Sequence, residues 1–382
     1  LFGSSSMGGA LRVIPNAPNL EQIEGKVAAG YSSTGGEGGG NNMMQGVLNV
    51  PLVEDQLAIR GVVYRYDNSG YVKNVAGSNS GPSEGVTGAL ANDGVAIDRD
   101  DIGSDEYVGF RLTTLWRPSD ALSLNLTHMQ QKIEQDGFPG VSQVDVGTFE
   151  QVRLKTGENG TGDEFLENDV SITSLVFEYK QEWGSVLSSS SWVDYDGRSH
   201  LDASGLVGLP FYVDNDVNTE IFTQEIRFTS EFEGPIQVLI GAYYEDHESS
   251  KSLPFNWSGN DPIEELAFAS SILDANGQPF TNLDNPQEAF LKKEQYALFG
   301  EVSYDISDSL VATLGARHFE YDQNQKFEGS GALFYGVDPS DTDDTSSGNG
   351  QNYKANLSYS PSDDVLVYAQ WAEGFRLAQE YF

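Results

Sequence analysis

Arg117-Pro-Ser-Asp-Ala-Leu-Ser-Leu-Asn-Leu-Thr127 joins a tight polar turn to a run in which apolar and polar residues strictly alternate. Successive side chains of a strand point to opposite faces, so this run has one greasy face and one polar face. The pattern returns in Ala297-Leu-Phe-Gly-Glu-Val-Ser-Tyr304 and in Gln351-Asn-Tyr-Lys-Ala-Asn-Leu-Ser-Tyr359. Soluble strands usually stop near about five or six residues. These runs last about ten to thirteen, and about nine to eleven are enough to cross a bilayer.

Working outward, short turns recur: Pro51-Leu-Val-Glu-Asp55, Arg117–Asp120, Gln181-Glu-Trp-Gly184, Glu233-Gly-Pro235, Ile306-Ser-Asp-Ser309 and Ser360-Pro-Ser-Asp-Asp364. Each carries turn-forming residues and has a strand-like run on both sides. Between the hairpins lie long stretches rich in Gly, Asn, Asp and Ser, at 68–103, 134–168, 197–218, 248–292 and 322–350. Loops this long are uncommon inside a compact soluble domain. Long strands with tight turns at one end and long loops at the other predict an antiparallel transmembrane β-barrel, all-β, with the loops outside the cell.

The predicted strands run near 25–34, 41–50, 56–67, 104–116, 121–133, 169–180, 184–196, 219–231, 235–247, 293–306, 309–321, 350–360 and 364–374. Alternation assigns one face to lipid: Leu57, Ile59, Val63, Val108, Phe110, Leu112, Leu122, Leu124, Leu126, Phe222, Ile226, Phe228, Leu310, Leu314, Leu357, Val365 and Val367. It assigns Arg60, Arg111, Thr113, Glu225, Arg227, Glu301, Arg317 and Lys354 to the other face. Charges there suit a polar lumen and would be costly towards lipid. Trp116, Trp183, Tyr304 and Tyr359 sit beside the short turns, where an interfacial aromatic girdle belongs. Thirteen is an odd number, and single-chain bacterial barrels have an even one, so the barrel is expected to be partial, with further strands after Phe382. Leu1 is not an initiator methionine and no signal-peptide pattern follows it, which fits a fragment.

Composition narrows the function. Lys+Arg total 21 against 58 Asp+Glu, a formal charge of -37, which excludes nucleic-acid binding through a basic face. There is no cysteine, hence no disulfide or thiolate metal site. Acid gathers in loop stretches such as Asp98-Arg-Asp-Asp-Ile-Gly-Ser-Asp-Glu106 and Asp338-Pro-Ser-Asp-Thr-Asp-Asp344, and neither has a complete calcium-loop spacing. No nucleophile elbow, P-loop or His-Glu-x-x-His appears, so no enzyme, no cofactor and no resident metal are expected. His128, His200, His247 and His318 are dispersed in sequence. Loop aromatics either line a ligand mouth or pack the loops together; the candidates for ligand contact are Phe138, Tyr212, Trp257 and Tyr335.

Residues 1–15 fall outside the alternating pattern and read Leu-Phe-Gly-Ser-Ser-Ser-Met-Gly-Gly-Ala-Leu-Arg-Val-Ile-Pro. This resembles the end of the plug domain in TonB-dependent outer-membrane receptors, with Gly3, Gly8, Gly9 and Ala10 at the matching positions. Leu57-Ala-Ile-Arg60, Gln224-Glu-Ile-Arg-Phe228, Tyr296-Ala-Leu-Phe-Gly-Glu-Val302 and Val367-Tyr-Ala-Gln-Trp-Ala-Glu-Gly-Phe375 resemble successive barrel strands of that family. Arg376 is followed by Leu377 where the family often has proline, and Ser4-Ser5-Ser6 replaces a basic or amide-rich stretch. The resemblance implies about 13 of 22 barrel strands. It divides the chain into a plug end at 1–20 and a barrel portion at 21–382. It further implies energised uptake of a scarce nutrient across the outer membrane of a Gram-negative bacterium. A ferric siderophore or similar chelate is the leading cargo, with haem, cobalamin or a glycan as others. The implied partners are the TonB–ExbB–ExbD complex, reached through a region upstream of Leu1, and outer-membrane lipid and lipopolysaccharide. The receptor would be a monomer. The competing readings are a passive porin-like channel and a soluble or surface-displayed β-rich carbohydrate-binding protein.

Overall fold

The computed structural model describes residues 13–75, 98–139, 150–151, 153, 162–203, 211–257, 286–330, 340–362 and 364–375. The strands, in chain order, are β1 (Glu24–Ser33), β2 (Gly40–Val53), β3 (Leu57–Asn68), β4 (Val72–Val75), β5 (Asp98–Ile102), β6 (Ser104–Ser119), β7 (Leu122–Asp136), β8 (Glu150–Gln151) and β9 (Phe165–Gln181). They continue with β10 (Gly184–Asp202), β11 (Phe211–Ser230), β12 (Ile236–Ser252), β13 (Phe255–Trp257), β14 (Gln287–Ser307), β15 (Leu310–Gly329), β16 (Ser340–Ser362) and β17 (Val365–Ala372). Thirteen of them form one sheet in the order β1-β2-β3-β6-β7-β9-β10-β11-β12-β14-β15-β16-β17, each antiparallel to the next. This matches the thirteen runs expected from alternation. β13 adds onto β11 past the end of β12, and β5-β4-β8 make a separate three-stranded sheet in the loop region.

The turns fall where the sequence places them. Gly184 closes the β9–β10 turn opposite Gln181 and lies across from Ser230, where β11 turns into β12. Its φ is +143°, and an added Cβ would lie 2.3 Å from the carbonyl oxygen of Thr229, a position that only glycine fills without strain.

The strands are longer than the alternation predicts. β11 has 20 residues, β14 has 21 and β16 has 23. Much of 197–218 and 322–350, expected as loop, is therefore strand. The added residues are Asp-, Asn-, Ser- and Gly-rich, with weak strand preference of their own. They are extended because the partner strand continues the ladder: Asp341 still pairs with Glu328 and Asp343 with Lys326. Cross-strand bonding, not residue preference, sets the strand end there.

Register confirms the two faces. Leu314, 67% exposed, lies on the side that also carries Val63, Phe110, Leu126, Ile226, Leu298 and Leu357, all exposed. The opposite side carries the buried Asn49, Thr113, Gln295, Arg317 and Asn352. Every residue assigned above to the lipid face or the lumen face has the parity that the ladder requires. Thr113 and Thr127 share a hydroxyl hydrogen bond of 3.2 Å across β6 and β7 on that polar side. Aromatic rings there lie flat across neighbouring glycines. Tyr64 of β3 passes over Gly109 of β6 and donates its hydroxyl to Gln131 of β7 at 2.5 Å, and a Cβ on Gly109 would sit 2.6 Å from the ring.

Candidate functional site

At the tight-turn end of the polar face, the segment before β1 is tied down. Asn49, 0% exposed, accepts the Asn19 N–H at 2.9 Å and donates to the carbonyls of Asn19 at 2.9 Å and Gln22 at 2.8 Å. Leu20 packs with Ala58 of β3 and Leu115 of β6. Asn19 also donates to Glu24, which takes a 2.9 Å ion pair from Arg60. One amide side chain thus satisfies three backbone groups that would otherwise be buried unpaired. Asn19, Asn49 and Leu20 carry no sequence signal of this role, because an Asn at a strand's turn end reads as turn chemistry.

Farther along the same face, ion pairs run from strand to strand. Lys293 of β14 pairs with Glu245 of β12 at 2.5 Å, and Tyr243 donates its hydroxyl to the same carboxylate at 2.6 Å. Lys354 of β16 reaches both oxygens of Glu301 on β14, at 3.0 and 3.1 Å. Half-buried charges are kept here by pairing.

At the loop end, β4, β5 and β8 are drawn together by side chains from three loops. Asn74 of β4 exchanges two 2.9 Å bonds with the backbone of Arg153. Arg99 of β5 pairs with Asp136 of β7, and lies 3.8 Å from Asp163. The carboxylate of Glu164 accepts the N–H of Asp202 at 3.0 Å and that of Phe138 at 3.4 Å, and lies 3.9 Å from Arg153 Nε. Burial pushes the Glu164 carboxyl above its usual range, and Arg153 and the two backbone donors offset only part of that. Its partners are 26 and 38 residues away along the chain, so no local pattern could have found them.

The candidate loop residues divide. Phe138 is half-buried beside Glu164. Tyr212 is buried against His200, with ring centres 5.1 Å apart, and His200 also meets Asp214 at 2.7 Å. Trp257 is buried edge-on against Phe211 at 5.4 Å. Tyr212 and Trp257 therefore pack loop against strand end, the second of the two roles open to loop aromatics. Tyr335 and Gly3, Gly8, Gly9 and Ala10 lie outside the described residues. The four histidines stay apart: His128 meets Thr173 on the apolar face, His318 meets Glu320, and His247 lies on the polar face. Among the described residues, no group of three or more His, Asp or Glu side chains could hold a metal ion.

The apolar face carries a second row of rings. Trp192, Phe222, Tyr244 and Tyr296 contact in sequence at 5.2, 6.1 and 4.9 Å across β10, β11, β12 and β14. Trp192, Phe222 and Tyr244 are each eight positions from the turn-end residue of their strand, respectively Gly184, Ser230 and Ile236, and Tyr296 is eight positions from Tyr304, the residue that opposes Ile236. Near the turns stand Trp116, Trp183, Tyr304 and Tyr359, all exposed. Eight residues rise about 27 Å along a strand, or about 20 Å across a bilayer at a tilt near 45°. Two aromatic rows thus bracket the apolar band. The common spacing from the turn in β10, β11 and β12 is the sequence signal for the second row.

The family profile described as "TonB dependent receptor-like, beta-barrel" matches residues 90–382. The chain belongs to the TonB-dependent receptor family. Among solved structures, the ferric yersiniabactin uptake receptor FyuA from Yersinia pestis is similar with a TM-score of 0.70 at 14% identity, over 94% of this chain and 48% of that one. The siderophore receptor PiuA from Acinetobacter baumannii gives 0.63 at 14%, over 97% of this chain and 51% of that one. The ferric citrate transporter FecA gives 0.63 at 14%, over 98% and 49%. The chain spans about half the length of these receptors. At such identity the likeness is one of fold: the thirteen-strand sheet is wall of a TonB-dependent β-barrel. No curated protein sequence matches the chain.

Proposed function

We propose that this chain forms part of an outer-membrane receptor of a Gram-negative bacterium that imports a scarce nutrient, a ferric siderophore or similar chelate, with energy relayed by a TonB–ExbB–ExbD complex. Residues 1–20 are the end of a plug domain, and 21–382 are barrel. The observation that carries this reading is the Asn19–Asn49 seam, with Leu20 seated on Ala58 and Leu115. A passive channel leaves its polar face to water, whereas this face holds a segment that leads into it at the turn end. A soluble lectin-like sheet has no use for an apolar band bracketed by aromatic rows. The similar solved receptors named for ferric yersiniabactin, a siderophore and ferric citrate support the choice of cargo class. The family and the similar solved receptors support transport rather than catalysis.

The test is uptake of radiolabelled iron, offered as a panel of ferric siderophores, by cells that depend on this receptor, with and without tonB. The expected result is accumulation of at least one chelate that disappears in the tonB strain. Equal passage of small solutes in both strains, with no high-affinity chelate bound, would leave a passive channel as the better reading.

A further inference from the structure

Arg317 of β15 faces the polar side, between its cross-strand neighbours Phe299 and Asn352. Ala297 is small and buried, so the guanidinium reaches across it to the Tyr243 ring, 5.5 Å from the ring centre. Phe375 lies against it as well, at 5.8 Å, and is itself stacked on Phe319 at 3.9 Å. Arg317 is only 6% exposed.

A guanidinium has five N–H donors and no other way to satisfy them than an acceptor. Among the described residues no hydrogen bond leaves Arg317, its Nε is buried without a partner, and the cross-strand Asn352 Oδ1 does not reach it and stays unpaired too. The nearby acids are engaged elsewhere: Glu245 by Lys293 and Tyr243, Glu301 by Lys354, and Glu225 by Arg227 at 3.6 Å. Gln295 on the same face, 2% exposed, also has an Nε2 without an acceptor. Ring faces attract the cation, but they do not replace hydrogen-bond acceptors. A buried charge in this condition is costly. The planar fork matches a carboxylate better than any other common anion, apart from phosphate. In a chain with 58 acidic residues, carboxylate is the commonest anion of its own that could reach it.

We infer that Arg317, flanked by Tyr243 and Phe375, receives a carboxylate brought to the polar face from beyond the described sheet. The carboxylate comes from another segment of the receptor or from a diffusing carboxylate-bearing cargo. The inference rests on the reading of the polar face as a lumen.

Both arms of the test use the receptor purified from outer membranes in detergent, as wild type, Arg317→Gln and Arg317→Lys. Heat-modifiable gel migration reports a folded barrel independently of the site. In the first arm, hydrogen exchange without cargo is compared. A carboxylate of the receptor itself predicts exchange at least ten-fold faster in one discrete segment outside β12–β17 in Arg317→Gln, largely restored in Arg317→Lys. In the second arm, citrate alone is titrated as a tricarboxylate probe while the melting temperature is followed. A diffusing carboxylate predicts a saturable rise in the wild type that Arg317→Gln loses. Either result supports the site and identifies its source. If Arg317→Gln migrates as a folded barrel, exchanges like the wild type throughout and answers citrate as the wild type does, the inference is overturned. If Arg317→Gln does not fold, the same comparison made with the uncharged Arg317→Met decides. A wild-type protein lacking heat-modifiable migration would instead overturn the lumen reading.

Discussion

The two ends of the sheet are held in different ways. At the tight-turn end the polar face is closed mainly by neutral bonds, beside the Glu24–Arg60 ion pair: Asn49 ties the backbone of Asn19 and Gln22, and Leu20 rests on Ala58 and Leu115. At the loop end the work falls to charge. Arg99 meets Asp136, Lys73 lies 3.2 Å from Asp100, and Glu164 holds the backbones of Phe138 and Asp202. Neutral bonds of this kind are insensitive to salt and pH. Ion pairs at half-exposed sites are screened by salt, and a buried carboxylate titrates. The base of the wall, resting mainly on neutral bonds, is therefore less responsive to the medium than its outer end.

The largest expected effect breaks the contrast between faces rather than ends. Leu314→Arg sets a charge on the apolar face between the two aromatic rows, and should destabilise folding into lipid vesicles by about 2–4 kcal/mol. Thr313→Ser, next to it but on the polar face, keeps a hydroxyl for Ser303 and should change the same urea titration by less than about 0.5 kcal/mol. Equal effects would contradict the facing.

Next comes the turn end. Asn49→Ala leaves backbone groups of Asn19 and Gln22 unsatisfied, and should weaken docking of residues 19–22 by about 1–3 kcal/mol. Hydrogen exchange of those amides should rise while the strands of β6 and β7 keep their protection. Loss of protection throughout the sheet would show that Asn49 supports the wall, not the docked segment.

The loop end should answer to pH. Because burial raises the folded-state pKa of Glu164 above its unfolded value, its contribution to loop order is fully present below the unfolded pKa and is lost as pH rises through the folded one. Limited proteolysis of the β7–β9 connection should therefore slow as pH falls through that window. In Glu164→Gln, neutral at every pH, that dependence should flatten. A cleavage rate that instead rises on acidification equally in both proteins would assign the response to the ion pairs of Arg99 and Lys73. The smallest effect belongs to Asp341→Asn at the exposed tip of β16: no measurable change in stability or cleavage is expected.

These ends also differ in how much the sequence says. Alternation in Ala121–Thr127 or Ala297–Tyr304 reports which side chain faces which way, because one face must be apolar for the strand to exist in lipid. Turn residues such as Pro118 and Gly234 mark where the chain reverses. Beyond the second aromatic row that requirement lapses. Asp343 and Asn324 are extended only because each has a partner across the ladder, and pairing leaves no periodic trace. The Glu164 cluster and the Asn19–Asn49 seam are invisible for the same reason: their partners are distant in the chain and ordinary in type. Loop aromatics were ambiguous because a ring that stacks on a ligand and a ring that packs a hairpin have the same composition, and only burial separates them, as it does for Tyr212 and Trp257.

The tyrosine laid across Gly109 has one further consequence. A ring lying flat adds roughly its own thickness to a surface, where an upright side chain would project as a peg. Repeated by Phe299 over Gly241 and Phe319 over Gly350, this planes the inside of the wall to low relief. Under the proposed function, a segment lying along that face would meet flat rings rather than projecting side chains.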